Sequence, residues 1–227
     1  MATKCIIPLL GKRLRVTELD SCGAVFTGAQ YIATDGFVSI TLSAEVEEGN
    51  EIIVRKASGA LCVNEKMANS FKRFTVEVEF CGVNPSMLAL TTNAEEYADD
   101  DDIIGFTVPE GEIKKWFALE LWTGLSGVAC APGETEEPSG YILLPFVSAG
   151  ILGDIEVNGE DAITFSMTGA STKGGNSWGT GPYNVYGTPA AKLPTAVDPY
   201  DHLLMIETSV APPPDACNPA PVVPSAG

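Results

Sequence analysis

Between Phe71 and Phe80 the chain alternates without a break. Phe74, Val76, Val78 and Phe80 share one side, and Arg73, Thr75, Glu77 and Glu79 share the other. A period of two with aromatic and β-branched residues predicts a strand with one dry and one wet face. The dry face needs a second layer to cover it, so this one segment commits the chain to packed β structure. Weaker alternation or short apolar runs predict further strands at 25–31, 37–42, 51–57, 103–108, 141–147 and 201–209. Segments 151–157 and 162–167 read as a hairpin across Asn158-Gly159, with Ile163, Phe165 and Met167 facing inward. Pro145 removes a ladder donor, which makes 141–147 an edge strand or a bulged one. Asn84 is a good N-cap and Pro85 suits the first helical position, so one short helix is expected after the Phe71–Phe80 strand.

Segment 114–123 carries bulk on both sides. Phe117, Leu119 and Leu121 lie on one, and Trp116, Ala118, Glu120 and Trp122 on the other. Such a strand is covered twice, either within two layers of one domain or by its own core and something else.

Several stretches lack the apolar pattern that would fold them into a body. Residues 43–69 read as a polar hairpin extension carrying Glu45, Glu47, Glu48, Glu51, Arg55 and Lys56, and an isolated hairpin does not hold in water. Residues 169–199 are dense in Gly and Pro, long for a structureless loop, and therefore mobile or laid against a surface. Their Trp178, Tyr183 and Tyr186, together with Trp116 and Trp122, are candidates for contact with a partner subunit. Residues 1–15 and the Pro-rich 211–227 read as terminal arms around a β domain at 16–210. A chain with this much unsupported length suits an oligomer whose arms clasp neighbours.

The formal charge is −17, from 30 acidic and 13 basic residues, which disfavours gripping DNA, RNA or anionic lipid. No run of 18 apolar residues predicts a membrane span. Chemistry is equally thin. The six cysteines include no CxxC pair, and the acidic run 95–102 lacks calcium-loop spacing, so it reads as a solvated loop. The lone His202 has no Gly-x-Ser-x-Gly elbow to serve, and no phosphate-loop spacing occurs. Glu77 and Glu79 sit about 6–7 Å apart on one strand face, a spacing compatible with glycoside hydrolysis and with any polar strand face. No enzyme, cofactor or metal is expected.

Several stretches, in order, are similar to the major tail proteins of long-tailed, non-contractile phages of actinobacteria. They include Thr34-Asp35-Gly36-Phe37-Val38-Ser39, Leu61-Cys62-Val63-Asn64-Glu65-Lys66 and Val76-Glu77-Val78-Glu79-Phe80-Cys81-Gly82-Val83-Asn84-Pro85. Phe117-Ala118-Leu119-Glu120-Leu121-Trp122-Thr123-Gly124, Gly140-Tyr141-Ile142-Leu143-Leu144-Pro145-Phe146 and Thr168-Gly169-Ala170-Ser171-Thr172-Lys173-Gly174-Gly175-Asn176-Ser177-Trp178-Gly179 continue the series. The resemblance implies a mainly β, sandwich- or barrel-like tail-tube fold with one flanking helix, a long hairpin extension and extended terminal arms. It implies hexameric rings stacked into a tube in the virion, assembled in the host cytoplasm. The hairpin 43–69 would reach the next ring, and tape-measure, tail terminator and distal tail proteins would be partners. DNA would pass through without sequence-specific contact, and Glu77 and Glu79 are candidates for the lumen wall, where negative charge keeps phosphates from sticking. The competing expectation is a secreted or surface β-sandwich carbohydrate-binding or adhesion module that uses Trp178, Tyr183 and Tyr186 as a sugar platform.

Overall fold

The computed structural model describes residues 7–82, 84–100, 102–126, 137–155 and 163–223. Within them the strands are β1 (Pro8–Leu19), β2 (Gln30–Thr34), β3 (Phe37–Glu47), β4 (Glu51–Arg55), β5 (Leu61–Lys66), β6 (Ser70–Phe80) and β7 (Glu95–Asp99). They continue as β8 (Asp102–Thr107), β9 (Trp116–Leu125), β10 (Ser139–Ser148), β11 (Ile151–Leu152), β12 (Phe165–Thr172), β13 (Leu204–Thr208) and β14 (Ala220–Pro221). The single described helix, α1 (Pro85–Thr91), starts as its sequence dictates: the Asn84 side chain accepts the Met87 N–H, and Pro85 opens the first turn.

Ten strands join one sheet in the order β14-β2-β1-β9-β10-β12-β6-β3, with β11 beside β12 and β13 beside β10. The sheet folds over itself. Val76, Val78, Phe80, Met167 and Ala170 from β6 and β12 close one core with Leu14, Val16, Ile32, Phe117, Leu119, Leu144 and Val147 from the other half. The layers approach so closely at Gly11 that a Cβ there would stand 2.7 Å from the Phe37 ring. The result is mainly β with packed sheets and no closed barrel among the described residues.

The crossover between layers is β10. Its first half, Ser139 to Leu143, pairs with β13, and Val147 and Ser148 pair with β12. The register against β9 slips between Leu144 and Val147, around Pro145. Of the two expectations for this segment, the bulge is found and the edge position is not, because the bulge absorbs the missing donor.

The double coverage of β9 is met inside one chain. Ala118 and Trp122 join Tyr141, Leu143 and Phe146 in a second core, closed from outside by Trp178, Val185, Leu193 and Val197. The Gly- and Pro-rich segment is therefore laid on its own sheet. The C-terminal segment also folds back: β14 pairs with β2, the Ala216 N–H donates to the Ala33 carbonyl, and Asp215 meets Arg13 at 2.9 Å. Residues 8–15, read from sequence as part of an arm, belong to β1, where Leu14 and Arg15 are buried.

Other boundaries move for local reasons. The strand expected at 25–31 forms at Gln30–Thr34 instead, because Gly28 at φ +91° breaks the run. The Asp20 carboxylate also winds 20–24 into a turn by accepting the Cys22 and Ala24 N–H groups. The acidic run at 95–102 is not a loop but the hairpin β7–β8, turning at Asp100 with φ +50°. The Asn158-Gly159 turn lies outside the described residues.

Inside the second core sits an ion pair. Arg15 Nε and Nη2 each stand 2.6 Å from Glu120, whose Oε1 also accepts the Tyr141 hydroxyl at 2.6 Å. The Tyr183 ring lies 3.4 Å from the guanidinium carbon. Burial alone would lower the Arg15 pKa, but the facing carboxylate outweighs it and the net shift is upward. Burial, reinforced by Glu120, pushes the Tyr141 hydroxyl well above its ordinary value. Replacing Arg15 with Met leaves a buried, uncompensated carboxylate and should cost about 3–5 kcal/mol of unfolding free energy in urea titrations. The paired change Arg15→Met with Glu120→Leu should stand closer to the wild type than Arg15→Met alone does.

Candidate assembly surfaces

Three features face outward without cover from the chain itself. The first is the ribbon β4–β5. It continues from the long β3–β6 pair through a tight junction, where a Cβ on Gly49 would fall 2.0 Å from the Met67 carbonyl oxygen. Register runs from Glu51 opposite Lys66 to Arg55 opposite Leu61, and the tip closes with the Lys56 N–H on the Ala60 carbonyl. Every residue of both strands is exposed. The ribbon is less polar than its sequence first suggested: Ile52, Ile53, Val54, Leu61, Val63 and the adjoining Met67 all stand in solvent.

The structure divides the six charged residues expected on this extension. Glu45 and Glu47 belong to the main sheet, because β3 runs on past residue 42 through cross-strand pairing with β6. Glu45 accepts Arg73 Nε at 2.8 Å and the Thr75 hydroxyl at 2.9 Å, and Glu47 lies 3.2 Å from Lys72. The Arg73 bond first, then that of Thr75, holds the Glu45 carboxyl below its ordinary value. Glu48 is at the junction, and only Glu51, Arg55 and Lys56 ride on the ribbon proper.

The second feature is the outer face of β3, β6 and β12. Glu77 stands opposite Thr41, and Glu79 lies between Ser39 and Ser166. Thr75 pairs with Ser43 and Ser171 on the same face. Glu79 accepts the Ser39 hydroxyl at 3.3 Å. No described cation reaches Glu77 or Glu79, so the face is hydroxylic and net negative. β3 is moreover the terminal strand of its sheet, 11 residues long and open along one edge.

The third feature is the hairpin β7–β8. Phe106 packs edge-on to Phe165 at 6.3 Å, while Tyr97, Ile104 and Val108 stay about half exposed or more. Sequence reasoning missed this surface, because the run of carboxylates hid the alternation around it.

The aromatic candidates fare differently. Trp122 and Trp178 are buried to 1% and 6% exposure within the second core, so their surfaces are taken up inside the chain itself. Trp116 and Tyr183 are half-buried against the same core, Tyr183 hydrogen-bonding Thr17 at 3.0 Å. Tyr186 alone of the five is exposed. A sugar platform built on Trp178, Tyr183 and Tyr186 would thus lack its largest ring.

No protein-family model and no curated protein matches this chain.

Chemistry-bearing groups are locally engaged. Among the described residues no three of His, Cys, Asp and Glu gather as a metal site. Cys22, Cys62, Cys81 and Cys217 are free and exposed, and the other two cysteines lie outside the described residues. His202 packs edge-on to Phe71, and its Nδ1 lies 2.6 Å from the Thr172 hydroxyl. That hydroxyl also accepts the Phe74 N–H at 2.9 Å and stands 3.5 Å from the Phe74 carbonyl oxygen. Burial, then Arg73, lowers the His202 pKa against the opposing pull of Asp201. The folded state therefore holds this proton less tightly than the unfolded chain. The stability it confers is full above the unfolded value of about 6.5 and falls as pH drops through it toward the lower folded value. Thermal melts of His202→Gln should show a shallower loss of midpoint between about pH 7 and pH 5 than melts of the wild type.

Proposed function

We propose that this chain is the repeating subunit of a phage tail tube, a structural protein that assembles with copies of itself around a channel for DNA. The observation that carries this reading is the ribbon β4–β5, whose two strands bury nothing on either face. A two-stranded ribbon with five exposed aliphatic side chains is marginal in water and gains stability when a neighbour covers it. The open edge of β3 supports the same reading, because an unpaired strand of this length is a template for another chain. Pairing there would continue the Glu77 and Glu79 face from one subunit to the next as a negatively charged wall. Sequence segments similar to actinobacterial phage major tail proteins give the assembly its expected form, hexameric rings stacked into a tube within the virion. Tape-measure, tail terminator and distal tail proteins would complete it.

The purified chain should form rings or filaments in negative-stain microscopy as concentration rises. Deleting 51–66 and closing the gap with a short Gly-containing turn should leave a folded subunit that no longer stacks. A wild-type chain that sediments as a monomer at every concentration would refute the proposal. In phage carrying Glu77→Lys and Glu79→Lys, assembled tails should release DNA more slowly than wild type. Unchanged ejection kinetics would remove these two residues from the lumen wall.

A further inference from the structure

The ribbon tip carries a local charge opposite to that of the whole chain. Arg13, Arg15, Lys72, Arg73 and Lys114 each lie within ion-pair distance of a carboxylate of the same chain. Arg55 and Lys56, by contrast, stand side by side in solvent with no carboxylate partner among the described residues, Arg55 donating only to the Gly59 carbonyl at 3.2 Å. Two copies at −17 each repel at long range, so locally complementary charge favours and orients a contact between them.

A complementary surface exists at the foot of β7. A cleft of about 360 Å³ opens there, at the small end of the range for binding clefts. Its rim carries Glu18, Glu95 and Glu96, and its walls include Phe26, Leu90 and Trp116. Two lysines also line it, yet both are already engaged. Lys115 Nζ donates to the Ala89 and Ala94 carbonyls at 2.8 and 2.6 Å, and Lys114 lies 2.8 Å from Glu112. Lys115 feels the charges of Glu95, Glu18 and Glu96 without an ion-pair contact to any of them, and with Lys114 paired to Glu112 the three carboxylates outnumber it. Glu95 and Glu96 are exposed and have no ion-pair partner among the described residues, and Glu18 accepts only the Gln30 N–H, at 3.3 Å.

We infer that the tip of the β4–β5 ribbon docks into the cleft beside β7 of a second copy, with Arg55 and Lys56 against Glu18, Glu95 and Glu96. The ribbon's aliphatic side chains would cover Phe26 and the exposed Tyr97 and Ile104 of the β7–β8 hairpin. The contact is head-to-tail, since ribbon and cleft are different surfaces, and it propagates rather than closing on a pair. It rests on the tube-subunit reading for the existence of a neighbour and names the surface that receives the ribbon.

Charge exchange tests it on the full-length chain. One variant carries R55E and K56E, a second carries E95K and E96K, and a third carries all four changes. The four positions are exposed, and each variant's thermal melt should match the wild type. Each two-residue variant alone should need about tenfold or more protein for half-assembly in sedimentation. The four-residue variant should return to within about threefold of wild type, because every ribbon then meets a cleft of opposite charge. Two-residue variants that assemble as wild type does, or a four-residue variant no better than either, would overturn this contact while leaving the tube proposal intact. A wild type that never assembles would overturn both.

Discussion

Glu120 is fully enclosed, and an enclosed carboxylate is tolerable only when a cation and hydrogen-bond donors meet it. Arg15 and Tyr141 supply them from β1 and β10, the two strands on either side of β9. The pair therefore ties the three central strands in register through side chains as well as through the ladder. It also explains why a long segment with almost no regular structure stays in place. Tyr183 covers the guanidinium, and the buried Trp178, Val185, Leu193 and Val197 seal the surrounding apolar surface. Without that cover the charge pair would face water and the outer side of β9 would be bare.

This arrangement changes what is unusual about the molecule. Three long segments lack an apolar pattern of their own, but two of them find support on the same subunit. The Gly- and Pro-rich segment becomes the second core's outer wall, and the C-terminal segment extends the sheet at β2. Only the ribbon remains without support, and a second exposed hairpin, β7–β8, joins it. The uncovered apolar surface is thus concentrated in two projecting hairpins of opposite charge instead of being spread over the termini.

Much of the body was legible because its signals are local. The alternation from Phe74 to Phe80, the Asn84-Pro85 helix start and the proline in β10 each point to one structure by short-range physics. The strand 25–31 was misplaced because Val25 is apolar for the second core, while Gly28 takes the backbone out of the β region. Residues 8–15 of β1 were read as an arm because Lys12, Arg13 and Arg15 interrupt their apolar pattern. Leu14 and Val16 flanking Arg15, and the lone acid among aromatics at Glu120, were the available clue to a buried pair. The destiny of Trp178 was not legible, since nothing near it in sequence says which sheet it will land on.

β10 is hydrogen-bonded to β9 along its length, to β13 along its first half and, at its end, to β12, which continues the sheet to β6. Sliding one layer across the other would have to tear that strand from its neighbours rather than merely unpack side chains. The strand that crosses between the layers consequently couples them, so that a load on one is carried to the other through backbone hydrogen bonds.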